Sequence, residues 1–351
     1  MKAQIYNFLL LCVMMPSLLM ANGDQDKGKI TKEKRINKSY LVNANAGIDI
    51  TNRYGNVYVT TWNEDKVAVD VVITVSGNSE EQVNKRLSSI DVEFEALKHL
   101  VTARTTIGNF SGGKTNMQIN YTIKLPVKGS VILDNQYGNT KVSKVNGKAN
   151  IECKYGELAI EELNGDSKID IEYCGNATVG YLKNGSITAG YSTFSLTKAI
   201  KLVANCEYTP VNIGDIDDLT YNSEYGNLTI GNVDKITGTS EYTSIKVGSV
   251  NSLLNITADY GSIQVANLTK NVKNVAINAQ YTGINIKYSD DYAFDFEIFT
   301  EYNKLNGGTD LKFQEKREKP TEAYYKGYHK SSGVNRLFIK SEYGNVNLKQ
   351  L

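Results

Sequence analysis

A tyrosine returns every 17 or 18 residues through the centre of this chain, at Tyr137, Tyr155, Tyr173, Tyr191, Tyr208, Tyr225, Tyr242 and Tyr260. The interval then widens to 21 at Tyr281 and Tyr302, and the series closes at Tyr343. So short and regular a period is the mark of a solenoid, in which one turn of chain cannot bury its apolar face alone and must stack on its neighbours.

The residues around each tyrosine fix the local geometry. Four positions before it stand Leu133, Ile151, Ile169, Ile187, Ala204, Tyr221, Gly238, Ile256, Ile277, Ile298 and Ile339. Six before it come Val131, Ala149, Leu219, Ile236 and Leu254, and two before it small residues such as Cys153, Ala189, Ser223 and Ser240. Alternation of this kind predicts a strand with every second side chain facing a core. Past the tyrosine the apolar residues fall three, five and eight positions later, as in Leu158, Ile160 and Leu163, so a second strand begins across a corner. The tyrosine sits on that corner, half buried, with its hydroxyl free to reach water or a backbone group. Glycine often follows it (Gly55, Gly138, Gly156, Gly226, Gly261, Gly344), yet Thr209, Thr243 and Thr282 take the same slot. A β-branched residue fits positive φ poorly, so the corner is not expected to require a left-handed residue.

The inward spacing departs from the strict six-residue beat of the left-handed hexapeptide helix. The expected fold is all-β: a right-handed parallel β-solenoid (a single-stranded β-helix) whose eleven coils would rise about 4.8 Å each into a rod roughly 50 Å long. A small α+β cap is expected near the N-terminus. Ile48, Ile50, Tyr54, Val57, Val59 and Trp62 spell a first coil over 40–62, and residues 63–128 then abandon the period. There Val67 to Val75 alternate as a long strand, and Ser79 with Gln82 reads as a capping box for a short helix. Open solenoid ends expose strand edges, so a covering element is physically required. The coils of the solenoid occupy 129–351, interrupted by a loop insertion at 307–334.

Ahead of the first coil, Lys2 and the apolar run Phe8 to Met20 read as a secretory signal over 1–21, followed by a disordered linker over 22–39. An uncleaved anchor is the alternative, and a lipid-anchored Cys12 fits less well. With the signal removed no transmembrane segment remains, and the expected location is exported: periplasm, outer-membrane surface or extracellular. Three cysteines are left. Cys153 and Cys206 lie three coils apart, beyond disulfide reach, and Cys174 falls in a different slot, so all three are expected as small packing residues.

The 39 basic and 38 acidic residues nearly cancel, which leaves no nucleic-acid footprint. With only His99 and His329, histidine-based triads and zinc sites have little support. Sugar-cleaving β-helices need clustered carboxylates beside Lys or Arg, whereas the outward column Lys141, Ala159, Ser195, Asn212, Thr229, Lys246 and Gln264 is bland. No catalytic residue and no firmly bound cofactor are therefore expected. Two features could bind something. Glu207, Glu224, Glu241 and Asp259 precede their tyrosines and would stack as a ladder of like charges, a solvated face or a weak calcium site. Lys316, Arg317, Tyr324, Tyr325 and Tyr328 mix basic and aromatic groups in the insertion, a candidate ligand loop set against a merely protruding hairpin or a disordered loop.

The apolar start, the single coil before an α+β insertion, the Leu125-Pro126 entry and the Tyr-Gly-x-Val-x-Val repeats resemble a bacterial adhesin-like family of β-strand-repeat proteins of unknown function, related to the auto-transporter adhesin head (GIN) domain. The resemblance spans about residue 40 to the end. It implies an exported, adhesin-like, non-enzymatic protein, and it carries over no catalytic residues. The function expected is a binding or scaffold protein of the cell envelope whose partner is a glycan or an envelope protein, with end-to-end self-association as a further expectation. The alternative is a lyase or hydrolase acting on carbohydrate from a β-helix scaffold.

Overall fold

The computed structural model describes residues 30–351, so the expected signal segment, Cys12 and the first part of the expected linker lie outside the described residues. The described chain is a parallel β-solenoid with one helix, Glu80–Ser88. A coil is designated below by its corner tyrosine. In the Tyr155 coil, Ala149–Lys154 runs into the corner, and Glu157–Glu172 leaves it and continues into the approach to Tyr173. Ile151 lies in register between Leu133 and Ile169, and Leu158 between Thr140 and Ala177. The inward columns pack as their spacing predicts. Ala149, Ile151, Cys153, Leu158, Ile160 and Leu163 are all buried, and each fully buried aliphatic side chain is worth about 1.5–3 kcal/mol. Where one column member is large, its neighbour shrinks: a Cβ on Gly238 would lie 2.4 Å from the ring of buried Tyr221.

The corner differs from expectation. All twelve corner tyrosines, Tyr54 included, adopt φ between 47° and 62°. The corner does require a left-handed residue, and it is the tyrosine itself. The slot after it is instead a point of close approach between coils. A Cβ on Gly138 or Gly156 would sit 1.9 or 2.1 Å from the carbonyl oxygen of the glycine one coil earlier. Where threonine takes the slot it turns inward and replaces that contact with hydrogen bonds. Thr209 Oγ1 donates to the Glu207 carbonyl at 2.9 Å and accepts from the Ser192 N–H at 3.2 Å, and Thr243 and Thr282 repeat the arrangement. A non-glycine residue in the left-handed region costs about 1–2 kcal/mol. Against this, the N–H of every corner tyrosine but Tyr302 donates to the carbonyl of the residue preceding the next corner in the stack, as in Tyr208 to Glu224 at 3.0 Å, while Tyr302 donates to the Thr321 carbonyl at 2.7 Å, and each stacked ring pair contributes about 0.5–1.5 kcal/mol.

Both ends of the rod depart from sequence order. At the N-terminal end the Tyr54 coil (Gly47–Arg53 and Val57–Trp62) does not terminate the stack. It lies between the Tyr137 coil and two cap strands, Leu100–Ile107 and Thr115–Pro126, which pair with it in parallel. Antiparallel strands Ile90–Ala96 and Lys66–Gly77 then cover the cap strands. Residues 30–39, expected as disordered linker, belong to the strand Ile30–Leu41, which pairs antiparallel along the whole of Lys66–Gly77. Its alternate residues Ile36 and Tyr40 pack on the core, a pattern obscured in the sequence by Lys32, Lys34, Arg35 and Lys38. The helix follows Ser79 as expected, but Ser79 makes no side-chain cap, so the capping box does not form; Val83 anchors the helix in the core.

At the C-terminal end the Tyr343 coil (Arg336–Glu342 and Val346–Gln350) is inserted between the Tyr281 and Tyr302 coils. The insertion is neither disordered nor merely protruding. It forms a hairpin, Lys312–Glu318 with Glu322–His329, whose second strand pairs antiparallel with Phe294–Glu301 and closes the rod. His329 is buried there between the Tyr292 carbonyl and Asp310.

Candidate functional site

The corner tyrosines form one continuous ridge. Twelve rings stack from Tyr54 to Tyr281 and on through Tyr343 to Tyr302, with centroids 4.5–5.2 Å apart and planes within 13°. Each ring stays about half exposed, from 36% at Tyr54 to 57% at Tyr302. Since neighbours cover the ring faces, the ridge offers solvent only ring edges and hydroxyls. Desolvation, then adjacent tyrosines and acids, hold the Tyr155, Tyr191 and Tyr225 hydroxyls above the usual phenol value, so these three are neutral at physiological pH.

Beside the ridge, Glu207, Glu224, Glu241 and Asp259 stand in register on consecutive strands. The row ends at Gln280, which follows Asp259, and at Gly190, which precedes Glu207. Closer to the N-terminus Lys154 bridges Glu152 at 2.9 Å and Glu172 at 3.6 Å. Among the described residues no three His, Cys, Asp or Glu side chains converge as a metal site. The four acids are thus aligned in a row on consecutive strands and do not converge on one point.

The five residues of the candidate ligand loop separate onto two faces of the hairpin. Tyr325 is buried and turned to the core, its hydroxyl donating to Glu318 at 2.7 Å, with Lys316 opposite it in the register. That hydrogen bond, assisted by Lys316, holds the Glu318 carboxyl below its ordinary value. Arg317, Tyr324 and Tyr328 face outward, so strand alternation divides what the sequence groups together. The outward set gains two aromatic residues. Phe299 packs against Tyr324 at 4.7 Å and against Phe338 at 6.0 Å. The Arg317 guanidinium lies 5.0 Å over the Tyr324 ring, and the Tyr324 hydroxyl donates to Glu297 at 3.0 Å. Phe299, Tyr324, Arg317 and Lys319, with Glu301 and Glu322, line a groove of about 310 Å³. Phe299 is 39% exposed and lies at the groove beside Tyr324. Its sequence signal was a broken column: three positions before other tyrosines stand Asp134, Thr188, Asn205 or Asn222, all polar.

The bland column of the second strand also stands in register, Lys141 beside Ala159 and Ser195 beside Asn212. The three described cysteines are buried, as packing residues would be, but Cys174 turns toward Cys153, a contact that the sequence comparison of Cys153 with Cys206 could not reveal.

No family model matches this chain, and no curated protein does. Two solved structures are similar to it. One is a candidate cell adhesion protein from Clostridium sporogenes, 12% identical, with 91% of this chain and 100% of that one covered at a TM-score of 0.18. The other is a candidate adhesin from Bacteroides fragilis, 13% identical, with 91% and 97% covered at a TM-score of 0.22. Likeness at these scores carries no argument about the role of this chain.

Proposed function

We propose that this is an exported, adhesin-like binding protein of the bacterial cell envelope, non-catalytic, in which the solenoid is a rigid spacer and the groove at its C-terminal end holds the ligand. The observation behind this reading is the pairing of partly exposed aromatic side chains, Phe299 with Tyr324, and a guanidinium, Arg317, in one groove. Sugar rings pack on aromatic faces, and an arginine fork pairs with carboxylate or sulfate in two parallel hydrogen bonds. The ligand class that fits is therefore an acidic glycan. The ridge suits this role less well, because stacking has already used its ring faces.

Profiling the full chain on a glycan array, beside an assay for newly released reducing ends, tests the reading. Retention of uronate-bearing or sulfated glycans without release of sugar is expected. Retention should fall at least tenfold in Arg317→Ala and in Phe299→Ala. Binding untouched by both substitutions would remove the groove from the account, and sugar release would favour the carbohydrate-cleaving alternative.

A further inference from the structure

We propose that Cys153 and Cys174 are a redox-closed staple between adjacent coils, a modification site that joins the Tyr155 coil to the Tyr173 coil. The inference stands on the placement of the two thiols and is independent of the binding role above. Cys153 lies two positions before its corner and Cys174 one position after the next, both fully buried. Cys174 Sγ donates to the Cys153 carbonyl at 3.1 Å, which brings the second thiol against the first cysteine. The same two slots elsewhere in the rod bring the Ser223 and Thr243 hydroxyls to 3.5 Å of one another. The solenoid thus places these two slots in contact as a matter of geometry, and in one coil pair it fills both with cysteine.

Interaction of its S–H with the Cys174 sulfur, followed by burial, holds the Cys153 thiol above its ordinary value, and the same interaction holds Cys174 below its own, so the pair loses its protons one at a time and Cys174 is the first to react. Cys174 is also nearer to solvent by chain path, since it adjoins the exposed ring of Tyr173 and Gly175, around which nothing lies within 4 Å of a built Cβ. With a disulfide oxidant such as oxidised glutathione, the Cys174 thiolate attacks one glutathione sulfur and expels a glutathione thiolate. The Cys153 thiolate then attacks the Cys174 sulfur of the mixed disulfide and expels the second. The two protons lost from the protein end on two glutathione thiols, and the oxidant takes up both electrons. Cys206 occupies the same slot as Cys153 in its own coil, but the next coil offers Tyr225 followed by Gly226, so it has no partner there.

Peptide mapping without reduction decides the matter. The full chain is incubated natively with oxidised glutathione, or refolded from denaturant in a glutathione redox buffer, then alkylated and digested with trypsin. The expected product is the peptide Ala149–Lys154 joined to Ile169–Lys183 at the summed mass less two hydrogens, and separated again by dithiothreitol. Oxidation should raise the melting temperature by several degrees, as closing a loop of about 20 residues does. Cys153→Ser should abolish both effects and Cys206→Ser neither. If both peptides are recovered separately with alkylated cysteines after both treatments, or if either cysteine is linked to Cys206 or Cys12 instead, the proposal is wrong.

Discussion

The middle of the rod and its ends obey different rules. From Tyr137 to Tyr281 neighbours in sequence are neighbours in space, each coil pairing with the one before and the one after. At the ends they are not, because the first and last coils of the chain are each tucked one layer inside the stack. The benefit is clearest for the final strand. Val346–Gln350 would be an edge strand with a fraying terminus if the chain simply stopped at the end of the rod. Placed between Gly283–Tyr288 and Leu305–Gly307 it is paired along both edges, and the Leu351 N–H still donates to the Tyr288 carbonyl at 2.9 Å. The outermost strands are then ones whose edges are poor templates. Lys312–Glu318 is exposed throughout and alternates Lys316 and Arg317 with Glu315 and Glu318. Ile30–Leu41 carries Lys32, Glu33, Lys34 and Arg35. Repetition stabilises the middle, whereas charged antiparallel strands cover the ends.

Removing an end should therefore have the largest effect. Trp62 and Val127 are adjacent in space, the Val127 N–H donating to the Trp62 carbonyl at 3.0 Å, so residues 63–126 can be replaced by a short glycine linker. That deletion bares the edges of Gly47–Arg53 and Val57–Trp62. Light scattering should then show soluble aggregates or end-to-end multimers, while the intact chain stays monomeric. A monomeric deletion variant of unchanged stability would mean that the ends need no protection and would erase the contrast with the middle.

Within the middle, the contrast is between alternate residues of one strand. Ile169 is buried between Ile151 and Ile187, while the neighbouring Lys168 side chain is 61% exposed and paired with Asp170. Ile169→Asp places an unpaired charge in the stacked core and should cost several kcal/mol, enough to leave the protein largely unfolded at 37 °C. Lys168→Asp should lower the melting temperature only slightly. Equal melting temperatures for the two variants would refute the register.

The contrast also explains what the sequence disclosed. Column identities, strand directions and the position of the corner follow from period and alternation, because each coil meets the same neighbours and so repeats the same residue types. The tucked coils were hidden. Tyr54 and Tyr343 sit in coils of ordinary sequence, and nothing local to them says which two layers they lie between. The left-handed tyrosine is masked in the sequence because the glycine that usually marks such a backbone stands at the next position. There glycine answers to the approach of a carbonyl oxygen, and threonine can replace it by bonding with that backbone. The candidate ligand loop was half legible: its basic and aromatic composition marked the segment, but faces are assigned by pairing, and only the register against Phe294–Glu301 places Tyr324 beside Phe299 and turns Tyr325 inward.

The ridge crosses both regions and allows the finest comparison, since Tyr242 is stacked on both faces and Tyr302 on one. Both are left-handed, with φ of 47° and 57°. Asparagine tolerates that conformation better than other L-residues, so Tyr242→Asn removes two stacking contacts, about 1–3 kcal/mol in all, offset in part by relief of the left-handed backbone cost. Tyr302→Asn removes one contact and should lose about half as much stacking. Tyr242→Val loses the same contacts, recovers none of the left-handed cost and adds the crowding of a β-branched side chain, so it should fall below Tyr242→Asn by about 1–2 kcal/mol. Chemical denaturation of the three variants supplies the ranking, with Tyr242→Val the least stable and Tyr302→Asn the most. If valine and asparagine prove equal at position 242, the left-handed backbone is not what selects tyrosine there. If Tyr242→Asn and Tyr302→Asn prove equal, the rings contribute through their own burial on the rod and not through one another, and the ridge is a row of independent corners.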